Sequence, residues 1–269
     1  MKLRNLEDLD PFERLTLIDM SYSRLNTYEM CKAQYFYNYV YKGEKTFSTH
    51  ATLGNIIHDV LEEHVGHKLK LKNLLETFQL SRLERDPSYL IPDEMILAGK
   101  DMLAEFVDAH SEEFLQPTRQ QEVIGKEQAF SFVLGNCLIR GFIDRIDRLS
   151  EEKIHIIDYK SGKNQVAQKW AFKDLQLGIY FLACTLLYPE AKEFKAELYY
   201  LKTQKMIGHT FTVEKDYQRV LDNLVERLTE VKNDQFFHYT SNSRICSFCD
   251  HATSGICPTG VTRTKYSRR

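Results

Sequence analysis

At 269 residues, 43% hydrophobic and 28% charged, the chain can bury a substantial core in one domain with insertions or in two small ones. Lys and Arg number 36 against 38 Asp and Glu, a net charge of −2, so affinity for a polyanion cannot come from bulk charge and needs local basic surface. No apolar run is long enough to span a membrane and no secretory apolar segment opens the chain, so a soluble, cytoplasmic globular protein is expected.

Residues 1–20 read as a leader. Ser21 or Ser23 can cap a helix on which Leu25, Tyr28, Tyr35 and Tyr39 recur at helical spacing. The seven aromatics from Tyr22 to Tyr41 could stack on unpaired bases, but packing of that helix onto a core is the favoured expectation for most of them. Helices are expected at 50–66 and 71–83. Pro87 and Pro92 then punctuate a linker before an amphipathic helix from about Asp93 to Phe114. Strands follow near 121–134, 137–148 and 153–160, then a helix at 173–187. A hairpin of strands 195–202 and 207–213 is expected to turn at Lys205–Gly208, and a helix near 214–232 precedes a cysteine segment. The tail from Thr262 carries Arg263, Lys265, Arg268 and Arg269 and no acid. Strands interleaved with helices make the fold class α/β. The expected segments are a leader (1–20), a helical region (21–118), a core (119–235) and a cysteine-bearing end with its basic tail (236–269).

Within that core, the stretch GFIDRIDRLSEEKIHIIDYKSGK carries the most chemistry. Leu138–Ile146 and Ile154–Tyr159 read as adjacent strands joined by a charged turn. Asp144 lies on the first, Asp158 on the second, and Lys160, two positions on, shares a face with Asp158. Two carboxylates and an ammonium are costly to bury unless the negative charge is compensated, and a hard divalent cation such as Mg²⁺ compensates it through carboxylate oxygens. The lysine could then orient water or stabilise charge on a phosphate. Asp147 points away from Asp144 and pairs more naturally with Arg145 or Arg148. Glu127, on the preceding strand, could support the metal ligands from behind.

The second concentration of chemistry is Cys246-Ser-Phe-Cys249 followed by Cys257. Two cysteines at C-x2-C spacing reach one metal centre, a third leaves a single vacancy, and Cys31 is the candidate to fill it. Zn²⁺ and an iron–sulfur cluster both accept four thiolates. Disulfides are disfavoured for a chain read as cytoplasmic. Cys137 and Cys184 lie in apolar runs and read as core.

At these residues the sequence resembles the PD-(D/E)XK nuclease superfamily, and within it the RecB-type exonuclease branch. The resemblance places the family's acidic pair at Asp144 and Asp158 and its lysine at Lys160. It also places a histidine metal ligand at His58, four residues after Gly54 in LGNIIHDVLEEH. Gln176 and Tyr180 in DLQLGIY match the branch's glutamine–tyrosine pair. The resemblance implies a restriction-endonuclease-like mixed β-sheet flanked by helices, an N-terminal helical region and a C-terminal cysteine clasp. It implies Mg²⁺ or Mn²⁺ held by His58, Asp144, Asp158 and the Tyr159 carbonyl, and catalysis by Asp144, Asp158, Lys160, Gln176 and Tyr180. AddB-type subunits and CRISPR-adaptation nucleases of this branch hold a [4Fe–4S] cluster on one N-terminal and three C-terminal cysteines, which map to Cys31, Cys246, Cys249 and Cys257. The implied activity is metal-dependent DNA cleavage, on single strands or duplex ends, in repair and recombination with a helicase partner. Trimming of CRISPR pre-spacers and a non-catalytic, helicase-accessory DNA-binding role are the alternatives.

Overall fold

The computed structural model describes residues 2–41, 48–110, 122–162, 164–247 and 249–258. The strands are β1 (Leu3–Arg4), β2 (Ile18–Met20), β3 (Glu122–Leu134), β4 (Cys137–Ser150), β5 (Lys153–Lys160), β6 (Glu193–Tyr200) and β7 (Lys205–Thr212). The first helices are α1 (Pro11–Leu15), α2 (Tyr22–Met30), α3 (Lys32–Tyr35), α4 (Thr49–His64), α5 (Leu71–Arg85) and α6 (Asp93–His110). The later ones are α7 (Leu175–Leu187), α8 (Val213–Asn233), α9 (Ser243–Ser247) and α10 (Asp250–Thr253). The expected basic tail lies outside the described residues, as does the end expected for α6. Among the described residues no helix is long and apolar enough to cross a membrane.

The chain packs as two units. The first, the sheet unit, comprises Phe47–Ser131 and Gly141–Asp222; the second, the cysteine unit, comprises Met1–Thr46, Phe132–Arg140 and Asn223–Arg269.

In the sheet unit the hydrogen-bonded strand order is β3-β4-β5-β6-β7. Strand β5 is antiparallel to β4 and parallel to β6, and β6 is antiparallel to β7. A parallel β5–β6 pair needs a crossover, and α7 supplies it. Asp174 caps α7 by accepting the Leu177 amide at 3.0 Å. The helix is buried continuously from Gln176 to Cys184, as its nearly unbroken apolar sequence requires. Strand β5 serves both sheet faces: Ile157 and Tyr159 join the core made by α4, α5 and α6, while Asp158 and Lys160 meet α7. Phe106 of α6 packs edge-on against Tyr159 and Tyr199, which seals that core under the end of β5.

The hairpin strands begin two residues earlier than expected. The β6–β7 hairpin turns at 201–204, with Gln204 in the left-handed region (φ 50°), and Gly208 lies inside β7 opposite Glu197. A Cβ on Gly208 would collide with the Ala196 carbonyl, so this glycine serves close strand approach and not the turn.

In the cysteine unit the leader is built into the sheet. Strand β1 pairs antiparallel with the end of β3, and β2 pairs parallel with the start of β4. Ser21 caps α2 through the Arg24 amide at 3.3 Å. The expected long helix then breaks at Cys31, whose extended backbone (φ −160°, ψ 110°) ends α2 and starts α3. Tyr28 and Tyr35 are buried, and Tyr35 stacks on Phe237, so these two aromatics pack rather than present to bases. Tyr28 Oη donates to Asp234 at 2.7 Å and Lys32 pairs with Glu230 at 2.9 Å, fastening α2 and α3 to the end of α8. Cys137 and Cys184 are both buried, as expected of core thiols.

Candidate metal centre and cysteine pocket

Helix α4 presents His58 because its apolar stripe, Leu53, Ile56, Ile57, Val60 and Leu61, is committed to the core. His58 Nδ1 lies 3.3 Å from Asp144 Oδ2 and 3.8 Å from Glu127 Oε1. His58, Glu127 and Asp144 each offer one donor atom, and all three atoms lie within 4.8 Å of one another. Asp144 is also held by the Tyr159 amide, which donates to Oδ2 at 2.7 Å. Glu127 enters the group from an unusual backbone: it has φ 42° in the middle of β3, a conformation that strains a side-chain-bearing residue and is found preferentially at functional sites. Glu127 thus lies within the candidate donor group and not behind it.

Asp158 stands outside that donor group and organises a second one. Its Oδ1 accepts Gln176 Nε2 at 2.7 Å and Tyr180 Oη at 2.9 Å, while Lys160 Nζ donates to Gln176 Oε1 at 2.8 Å. Gln176 Nε2 also reaches Tyr180 Oη at 2.8 Å, and the i, i+4 spacing on α7 is what lets one helix face supply both groups. Asp158 Oδ2 lies 2.6 Å from the Lys160 ammonium but receives no directed hydrogen bond, although it is buried. Asp147 forms a two-point ion pair with Arg145, at 2.7 Å for each contact.

The electrostatics follow from crowding three carboxylates. Burial opposes charge on His58, yet its contacts with Asp144 and Glu127 outweigh this and raise its pKa to about 10. Burial, then the charge of Asp158, raises Asp144 to about 6 against the pull of His58. Burial raises Tyr180 well above the phenol range, so it acts as a hydrogen-bond donor and not as an anion. An imidazole and two carboxylates that converge on one point are the donor chemistry a hard divalent cation accepts. Displacing the His58 proton is the natural accompaniment of such binding.

In the cysteine unit, Cys31, Cys246, Cys249 and Cys257 line one cavity with Gln34, Tyr37 and His251. The break at Cys31 brings the first thiol there. Gly255, at φ 80°, lets the chain reverse so that Cys257 returns, its amide donating to the His251 carbonyl at 2.8 Å. Burial, partly offset by the amides of Ala252 and His251, raises the Cys249 thiol, and Cys31 and Cys257 push in the same direction. His251 Nε2 contacts Asn38 Oδ1 at 2.6 Å and its ring packs on Tyr37. Sequence reasoning passed over His251, although a histidine two residues after Cys249 was the signal.

The family model for the PD-(D/E)XK nuclease superfamily matches residues 19–258. One component of an ATP-dependent helicase/deoxyribonuclease from Streptococcus pyogenes serotype M49 is 31% identical over 160 residues, and its counterpart from a serotype M3 strain is 30% identical over 166. These matches cover 55% and 57% of this chain but 14% and 15% of the relatives, so the chain spans a small part of their length. A solved structure of an exonuclease candidate from Eubacterium rectale aligns over 87% of each chain with a TM-score of 0.48 and 14% identity.

Proposed function

Because the chain belongs to the PD-(D/E)XK nuclease superfamily, we propose that it is a metal-dependent deoxyribonuclease of the RecB type, acting on single strands or duplex ends in DNA repair. The observation that carries this reading is the continuous network from Lys160 through Asp158 to Gln176 and Tyr180 beside the His58, Glu127 and Asp144 donors. His58, Glu127 and Asp144, with Asp158 and the Tyr159 carbonyl close by in sequence and fold, would hold Mg²⁺ or Mn²⁺. Bound there, the cation would supply positive charge to the scissile phosphate and acidify water. Lys160, held by Gln176 and beside Asp158, would orient the attacking water and stabilise negative charge on the phosphate. Tyr180 and Gln176 hold the Asp158 carboxylate fixed in direction. No covalent enzyme intermediate is required.

The cysteine cavity supports a structural cluster. Four thiols converge from the N-terminal and C-terminal segments, and among the described residues the local core around Cys246, Cys249 and Cys257 contains only Ala252 besides, with Tyr37 packed on it. The four cysteines would hold a [4Fe–4S] cluster, with Zn²⁺ the other metal such a set accepts. The Streptococcus relatives are subunits of an ATP-dependent helicase/deoxyribonuclease, and a helicase partner for this chain is part of the same proposal.

Incubation with end-labelled single-stranded DNA in Mg²⁺, Mn²⁺ or EDTA tests the reading. Metal-dependent shortening that disappears in Asp158→Asn supports it. Unchanged DNA in every lane, with a folded protein, overturns it.

A further inference from the structure

The chain has a single tryptophan, and the fold leaves it half exposed: Trp170 retains 51% of its accessible surface. It lies in a short 3₁₀ turn, Gln168–Lys173, directly between catalytic strand β5 and helix α7. Lys169 Nζ and Lys173 Nζ stand over its indole ring in cation–π contact, 5.4 and 5.6 Å from the ring centre. Phe172 follows, with the Arg219 guanidinium 5.5 Å from its ring. A half-exposed indole whose face is held by two flexible ammonium groups suits a ligand with flat aromatic groups and negative charge: the phosphates can draw the lysines aside and a base can take their place on the ring.

The turn is held firmly. Gln168 Nε2 donates to the Gly208 carbonyl at 2.7 Å, Arg219 Nη1 donates to the Phe172 carbonyl at 2.9 Å, and Ala171 is buried. Upstream, the Val166 amide donates to Tyr200 Oη at 2.9 Å. Asp174, the residue that ends the turn, is also the cap of α7, and Gln176 of the catalytic network follows two positions later. A base stacked on Trp170 would thus be registered against Lys160 and Asp158 by one short, anchored stretch of backbone.

We propose that Trp170, flanked by Lys169 and Lys173, is a stacking platform for a base of single-stranded DNA, with the two lysines pairing with adjacent phosphates. This rests on the nuclease reading and adds to it the element that grips the strand. Stacking on an aromatic side chain is tolerant of sequence, and the local cations answer the lack of positive charge in the chain as a whole.

Because Trp170 is the sole indole, its fluorescence reports the contact directly. In EDTA, so that no cleavage occurs, titration of the full chain with oligodeoxythymidylate should quench it, whereas inorganic polyphosphate, which has charge but no bases, should not. By anisotropy of a labelled oligonucleotide, Trp170→Ala should bind about 5- to 100-fold more weakly. Lys169→Ala with Lys173→Ala should flatten the logarithmic salt dependence by roughly 1.4, two phosphates' worth on a single strand. In Mg²⁺ the Trp170→Ala change should appear in KM far more than in kcat. If Trp170→Ala keeps parental affinity and KM while Asp158→Asn abolishes cleavage, the platform is wrong and the nuclease reading stands. If the parent neither binds nor cleaves DNA, both fall. Equal quenching by polyphosphate would also overturn stacking.

Discussion

The two candidate sites are built in opposite ways. In the sheet unit, the side chains of the candidate active site are already held by hydrogen bonds: Asp144 by the Tyr159 amide, Asp158 by Gln176 and Tyr180, and Lys160 by Gln176. Beneath them, the core of α4, α5, α6 and the ends of β5 and β6 includes Phe78, Phe106, Ile57 and Leu103, all essentially inaccessible. In the cysteine unit, the local core around the candidate cluster consists largely of the thiols themselves. Thiols are weak hydrogen bonders, so the proposed shared metal would be what ties them together. A site ordered by its own hydrogen bonds should lose function without losing its fold when its ligand is removed. A site whose core is its ligands should lose its fold first.

The largest expected effect tests the first half of that contrast. Asp158→Asn and Lys160→Ala should each reduce cleavage by about 10³-fold or more, while melting temperatures stay within a few degrees of the parent. Gln176→Ala, which removes an orienting group and no charge, should cost about 10- to 100-fold. Single-turnover cleavage alongside thermal melts decides it, and near-normal cleavage by either of the first two would remove the site assignment. EDTA should stop the reaction at once and barely move the melting curve.

Cys31→Ser tests the second half. It should lower the melting temperature by about 5–15 °C, as loss of a long-range cross-link does, while Mn²⁺ binding at the other site persists. Anaerobically purified parent should be brown, absorbing near 400 nm, and the variant bleached. Colourless protein with stoichiometric zinc would replace the cluster with Zn²⁺ and keep the clasp. A variant as stable as the parent, with no metal in either, would end it.

Glu127 sharpens the comparison, because it shows the ordered site holding strain. Glu127→Gln should weaken Mn²⁺ binding by about 10-fold, read by electron paramagnetic resonance titration. Glu127→Gly should weaken it similarly and yet leave stability unchanged or raised by about 1 kcal/mol, since glycine accepts φ 42° without penalty. Destabilisation by Glu127→Gly would show that the carboxylate is structural.

How much of this was legible in the sequence differs by element. The β4–β5 hairpin, the shared face of Asp158 and Lys160, and the capped helix from Ser21 follow from period-two and period-3.6 patterns that are local. Gln176 and Tyr180 were picked out by the family resemblance alone, since i, i+4 spacing by itself also describes an ordinary packed helix face. The break at Cys31 was not, since helix propensity runs smoothly through YEMCKAQY and only the packing of the cysteine unit favours extended backbone there. The role of Gly208 was misread because a glycine near a hairpin signals a turn as readily as a close strand contact. The position of Glu127 depends on one residue's φ, which no pattern announces, and the pairing of β1 and β2 depends on partners more than a hundred residues away.

The smallest expected effect concerns the ion-paired joint that holds the break in place. Burial opposes charge on Asp234, but the amides of Phe236 and Phe237, the Tyr28 hydroxyl and Lys32 outweigh it and lower its pKa well below the carboxylate range. A carboxylate whose pKa is lower folded than unfolded adds stability above its unfolded pKa, near 3.9, and loses it as the pH falls through the folded value. Asp234→Asn should therefore melt a few degrees below the parent at pH 7. The gap should hold down to about pH 4 and close only at more acid pH, as the parent's own carboxylate takes up its proton. Because Lys32 directly follows Cys31, the same variant should also loosen the cysteine pocket, seen as faster loss of absorbance near 400 nm on exposure to air. A melting gap that does not change with pH would mean that Asp234 contributes shape alone, and that the joint beside Cys31 is not held by charge.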